Sequence, residues 1–157
     1  MTPYVAVVGA GEAGEDLERV AEQVGQGLAE SGAILLCGGL TGVMEAACRG
    51  CRAGGGTSVG ILPGDDRRAA NQFVDVALAT GMGEMRNALI VRAADVVIAL
   101  GGEYGTLSEV AFALKTGRPV VGYDTWDLSS GTASDGIVRV DSADDAVKAA
   151  LRLARPG

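Results

Sequence analysis

The sequence predicts an α/β fold of the Rossmann-like kind: a doubly wound, mainly parallel sheet with helices on both faces. Two observations carry this prediction. Short, almost continuous apolar runs alternate with stretches of helical periodicity along the chain, which is how strands buried on both faces and joined by crossover helices read. Glycine then follows one apolar run after another, at Gly9, Gly38, Gly64, Gly81, Gly101 and Gly122, as the turn from a strand into a helix requires. The chain of 157 residues is 48% hydrophobic and 21% charged. That suits one core and one nucleotide-binding domain over 1–157, with no repeat or linker.

The elements follow in order. Residues 4–8 form a β-branched strand ending at Gly9. Leu17, Val20, Ala21, Val24 and Leu28 recur at helical spacing within 14–31, behind the acidic first turn of Glu15, Asp16 and Glu18. A strand over 33–37 leads to Gly38 and Gly39, then a helix over 41–53 and a strand over 57–62 ending at Pro63 and Gly64. Residues 65–72 read as a polar loop or short helical turn, and 73–79 as a strand. A helix over 83–94 and a strand over 95–100 lead to Gly101 and Gly102. The rest reads as a helix over 106–116, a strand over 119–122, a loop over 126–136, a short strand over 137–140 and a closing helix over 142–154.

Composition removes several chemistries. Net charge is −7, against a nucleic-acid partner, which needs clustered cations. No apolar run reaches the roughly 18 residues that span a bilayer, no leader is evident at the start, and three cysteines suit a reduced, cytoplasmic protein. There is no histidine, so histidine-based nucleophilic catalysis and histidine-ligated zinc are excluded, and no metal site is predicted. Lys115 and Lys148 are the only lysines. Lys115 falls in the last turn of a helix, where a cation complements the dipole, and neither suits a pyridoxal Schiff base.

The glycines place a ligand at the carboxyl edge of the sheet, where open α/β sheets bind theirs. Glycine lets the backbone approach a ligand and leaves helix-terminal N–H groups free for an anion. Three loops qualify. The first holds Gly9, Gly11 and Gly14 in dinucleotide-fingerprint spacing. The second strand ends in Cys37 and Gly38 rather than in the acid that would bind a ribose, and Glu12 sits in the first loop; both count against a dinucleotide-dependent enzyme. The second loop holds Gly38, Gly39 and Gly42, with Thr41 placed to cap the next helix. The third runs from Gly101 and Gly102 through Gly105 to Thr106 and Glu109. Thr106 and Glu109 have capping-box spacing; alternatively Thr106 binds phosphate and Glu109 does acid–base chemistry. Arg86 is one of few cations near this edge. Cys48 and Cys51 have redox-pair spacing but lie late in a helix, where packing explains them better than a stabilised thiolate.

These stretches, GGLTGVMEAA at 38–47, ILPGDD at 61–66, TGMGEMRN at 80–87 and GGEYGTLSE at 101–109, resemble the LOG family over about residues 5–123. That family includes cytokinin-activating phosphoribohydrolases, proteins mislabelled as lysine decarboxylases, and a branch similar to molybdenum-cofactor carrier proteins, which the chain resembles most. The enzymes' motifs are M-x-x-R-K and P-G-G-x-G-T-x-x-E. The resemblance implies that Arg86 and Glu109 are the residues acting on the N-glycosidic bond, and that Gly105 and Thr106 form the phosphate-binding turn. Asn87 replaces the motif's lysine, and Gly101-Gly102-Glu103 replaces its P-G-G stretch.

Three readings follow. The first is a binding protein for a nucleotide or other phosphorylated small molecule, with an AMP-like or molybdopterin-type ligand. The second is a hydrolase of nucleoside 5′-monophosphates, and the third a dinucleotide-dependent enzyme. The helix over 83–94 carries Met85, Ala88, Leu89, Ile90 and Val91. That apolar surface is wider than one sheet face buries and predicts a homodimer.

Overall fold

The computed structural model describes residues 1–154; the last three residues of the predicted domain, 155–157, lie outside the described residues. In chain order the elements are β1 (Tyr4–Gly9), α1 (Glu15–Glu30), β2 (Ile34–Cys37), α2 (Val43–Ala53), β3 (Thr57–Leu62), β4 (Val76–Ala79), α3 (Arg86–Ala93), β5 (Val96–Leu100), α4 (Tyr104–Lys115), β6 (Val120–Tyr123), β7 (Val138–Arg139) and α5 (Ala143–Ala154). Short 3₁₀ turns at Arg67–Ala69 and Gly83–Met85 precede β4 and α3. The seven strands form one sheet in the order β4-β3-β2-β1-β5-β6-β7, and every pairing is parallel.

Alternation along the strands feeds two cores. Val5 and Val7 of β1 join Leu35, Ile98 and Leu100 under α1, α2 and α5, which contribute Val24, Leu28, Ala47 and Ala146. Ala6 and Val8 face the other way, with Val97 and Ala99, against Ile90 and Val91 of α3 and Val110 and Ala113 of α4. Each fully buried valine or leucine contributes roughly 1.5–3 kcal/mol. The chain lays β2, β3 and β4 to one side of β1 and then returns to place β5 on the other, where Gly9 pairs with Leu100. The crevice between the carboxyl ends of β1 and β5 is therefore the topological switch point.

Some boundaries differ from the sequence prediction. Phe73 and Val74 precede β4 instead of opening it, because the Asn71 side chain accepts from the Phe73 amide and turns the chain. Asp75 then receives the Ser58 amide and hydroxyl. Gly122 lies inside β6 rather than beyond it. In α3 the apolar residues split between faces: Ile90 and Val91 are fully buried, whereas Met85, just ahead of the helix, and Leu89 stay exposed.

The abundance of glycine has a second cause beside the ligand edge. A Cβ on Gly25 of α1 would lie 2.0 Å from the Ala47 carbonyl oxygen, and one on Gly50 of α2 would lie 1.9 Å from that of Glu22. The two helices thus touch backbone to backbone, which only glycine permits. In an ordinary helix interior glycine-to-alanine substitution stabilises by about 1 kcal/mol. Gly50→Ala is expected to do the reverse, lowering stability by more than about 2 kcal/mol in urea unfolding, because the clashing atom is backbone. A stabilised Gly50→Ala protein would mean that the helices do not make this contact.

Candidate functional site

A cavity of about 260 Å³ opens at the switch point, lined by Gly9, Gly11, Leu40, Met44, Pro63, Glu84, Arg86, Asn87, Glu103, Gly105, Thr106 and Glu109. Six of the residues singled out from sequence meet there: Gly9, Gly11, Arg86, Gly105, Thr106 and Glu109. Gly38, Gly39, Gly42 and Gly102 are not among its lining residues, and their contacts show what they do. A Cβ on Gly38 would come within 2.7 Å of both Arg86 Nη2 and Met44 Sδ, so this glycine makes room for the guanidinium. One on Gly39, at φ +75°, would meet Leu62, and one on Gly42, at φ +66°, would sit 2.3 Å from the Ala10 carbonyl oxygen. Gly102 lies against Trp126 and Thr106.

The first two loops are fastened to each other. Thr41 does not cap α2; its Oγ1 donates to the Gly11 carbonyl at 2.8 Å, and Gly42 occupies the N-cap position. The Val43 amide, the first of α2, donates to the Ala10 carbonyl at 3.0 Å. Gly9 is equally structural: a Cβ there would lie 2.6 Å from Val43 Cγ1 and 2.7 Å from the Leu100 carbonyl oxygen.

The third loop is different. The helix α4 starts at Tyr104, two residues before the predicted start, with Glu103 at its N-cap position and no side chain capping it. Thr106 is therefore inside the first turn, and the capping-box alternative does not hold. The Leu107 amide takes the Glu103 carbonyl, leaving the amides of Tyr104, Gly105 and Thr106 without an intrahelical partner. Thr106 is 2% exposed, yet its Oγ1 has no hydrogen-bond partner among the described residues.

Arg86, the first residue of α3, is 8% exposed. Its Nη1 donates to the Asn87 side-chain oxygen, while its Nε is buried with no partner among the described residues. Asn87, where the motif has lysine, also reaches Ser108 Oγ at 3.5 Å, and Ser108 Oγ donates to the Gly105 carbonyl at 2.7 Å. This asparagine therefore links the arginine to the first turn of α4. Burial lowers the Arg86 pKa, and nearby Glu109 is the main charge opposing that shift. Glu109 is 7% exposed; burial pushes its carboxyl up to about 7, against the pull of Arg86. It can hold or release a proton near neutrality. Glu103 and Asn87, noted from sequence only as departures from the motifs, line the cavity as well; Glu84, inside the stretch 80–87, was given no role from sequence although it lies two residues before Arg86.

The cysteines lie outside this cavity, buried and free. The neighbour of Cys48 is Cys37, with sulfurs 3.5 Å apart, and burial pushes Cys51 up to about 12, in keeping with a packing role. Among the described residues no cluster of acids and cysteines could hold a metal, and no helix is long and apolar enough to cross a membrane.

Residues 2–149 match the SLOG cluster4 family. The chain belongs to that family. Among solved structures it is similar to the molybdenum cofactor binding protein of Rippkaea orientalis, with 35% identity, 99% of each chain covered and a TM-score of 0.92. The molybdenum cofactor carrier protein of Chlamydomonas reinhardtii matches with 30% identity, 98% of each chain covered and a TM-score of 0.84. A probable cytokinin riboside 5′-monophosphate phosphoribohydrolase of Oryza sativa subsp. japonica is 38% identical over 93 residues, covering 57% of this chain and 38% of that protein. The chain is thus a LOG-like Rossmann protein of the branch similar to molybdenum-cofactor carriers.

The elevated Glu109 carboxyl fixes the sign of a pH effect. Its folded value, about 7, lies above its ordinary 4.5, so the folded chain holds the proton more tightly than the unfolded one. The stability this gives is present below pH 4.5 and is lost as pH rises through about 7. The ligand-free protein is expected to lose up to about 3 kcal/mol over that window, and Glu109→Gln should flatten the slope in urea unfolding at several pH values. An unchanged slope would show that Glu109 is ionised throughout.

Proposed function

We propose that this protein binds a phosphorylated small ligand, a nucleoside monophosphate or a molybdopterin-type compound, at the α4 end of the switch-point cavity. The observation that carries the reading is the pair of buried polar atoms without partners, Thr106 Oγ1 and Arg86 Nε, beside the uncapped first turn of α4. Helix-terminal amides, a hydroxyl and a guanidinium together form an anion site. Glu84, Glu103 and Glu109 line the same cavity and suit the hydroxyl and ring N–H donors that both ligand classes carry. The likeness to cofactor-binding and carrier proteins supports a binding role. Three free, buried thiols suit a cytoplasmic setting.

One observation favours a second reading. A carboxyl with a pKa of about 7 next to an arginine can activate water or stabilise positive charge on a ribose, as hydrolysis of a nucleoside 5′-monophosphate to free base and ribose 5-phosphate requires. A dinucleotide fits least well, because the first loop and the start of α2 are spent on each other; NAD should bind no better than AMP. We also infer a homodimer through the face of α3 that exposes Leu89. A monomeric mass by light scattering at micromolar concentration would remove it.

The binding reading expects AMP to bind more tightly than adenosine in calorimetry. Arg86→Ala should weaken AMP about tenfold or more, the worth of a charge-assisted arginine–phosphate contact. Glu109→Gln should barely change AMP affinity, and free adenine should appear slowly or not at all. Equal affinities for adenosine and AMP, or an Arg86→Ala protein that binds AMP normally, would overturn the site. Rapid adenine release that vanishes in Glu109→Gln would make the protein a hydrolase.

A further inference from the structure

We propose that a second, open cavity beside the anion site receives the planar ring system of the same ligand, stacked on Tyr104. The inference rests on the phosphate reading above and adds the class of group attached to the phosphate. This cavity, about 550 Å³, is lined by Glu84, Met85, Asn87, Tyr104, Gly105 and Ser108. Glu84, Asn87 and Gly105 also line the switch-point cavity, so the two adjoin.

Two large apolar side chains stand open at this place. Tyr104 is 81% exposed and Met85 73%, an arrangement the two cores do not explain. The tyrosine is nevertheless held. Its ring stacks on Trp126 with centroids 5.8 Å apart and 27° between planes, and Trp126 Nε1 donates to the Glu103 carbonyl at 3.3 Å. A supported aromatic ring with its surface still open is a stacking platform for a flat heterocycle. A thioether beside it is well suited to the same face, while Glu84, Asn87 and Ser108 offer polar groups to the heterocycle's edge. Tyr104 immediately precedes Gly105 and Thr106 of the anion site, so phosphate and ring system would be read from consecutive residues of one helix turn.

The test compares AMP with ribose 5-phosphate, which lacks the ring system, on the wild type, Tyr104→Phe and Tyr104→Ala. Calorimetry should show the wild type preferring AMP by tenfold or more. Tyr104→Phe should keep the preference and Tyr104→Ala should lose it, with ribose 5-phosphate affinity unchanged. Fluorescence of Trp126, the one tryptophan, should respond to AMP and not to ribose 5-phosphate. A wild type that binds the two ligands equally, or a Tyr104→Ala protein that keeps the preference, would overturn the proposal. So would a Tyr104→Ala protein that loses both ligands equally and drops in mass by light scattering, which would assign the ring to an interface between copies. If neither ligand binds the wild type, the phosphate reading itself fails and takes this one with it.

Discussion

The guanidinium of Arg86 lies against the bare Cα of Gly38, and this contact decides much of what surrounds it. A side chain at position 38 would occupy the space of Nη2 and of Met44 Sδ. The second strand therefore ends in glycine, where dinucleotide-binding sheets place an acid for the ribose. With the arginine seated there, α3 must begin at the cavity, and Asn87 follows on the chain to hold the guanidinium and reach toward Ser108. Glu109, on the next helix, supplies the opposing charge at a distance: no hydrogen bond or ion pair joins it to Arg86 among the described residues, and both groups feel their burial.

Such an arrangement is costly in the free protein. A buried donor or acceptor left unmade costs roughly 1–3 kcal/mol, and the cavity has two without partners among the described residues, Arg86 Nε and Thr106 Oγ1. Stability is offset elsewhere, in the two apolar cores and in the backbone contact between α1 and α2 that Gly25 and Gly50 allow. A ligand that supplies the missing partners would stabilise the folded chain by mass action. This division, with stiff packing on the α1/α2/α5 face and unmet polar groups at the α3/α4 edge, is what a binding site on a rigid scaffold requires.

Much of this was legible in the sequence. Apolar runs and helical spacing gave the strand and helix order, and the doubled glycines lie at the edge of the sheet where the cavity opens. Arg86, Thr106 and Glu109 were singled out, and they share one cavity. What was not legible depends on contacts distant in sequence. The T-x-x-E spacing resembled a capping box, but α4 starts at Tyr104 and puts Thr106 inside the turn. Thr41 had the residue type of a cap and instead ties two loops together across 30 positions. Gly25 and Gly50 carry no local signal of their own, because only the crossing of α1 over α2 exposes their purpose. Tyr104 and Trp126 meet only once the chain after β6 folds back, so no local pattern could pair them.

Whether the buried Thr106 hydroxyl at the start of α4 serves a ligand's phosphate, as proposed, is tested most directly by Thr106→Val. Valine keeps the shape of threonine and removes only the hydroxyl. Thermal melts with and without AMP would be compared for the two proteins. Removing a buried hydroxyl that has no partner should leave the melting temperature of the free protein unchanged or raised, while the rise on adding AMP shrinks. A free protein that melts lower, with the AMP-induced rise intact, would show that the hydroxyl serves the fold and not a phosphate.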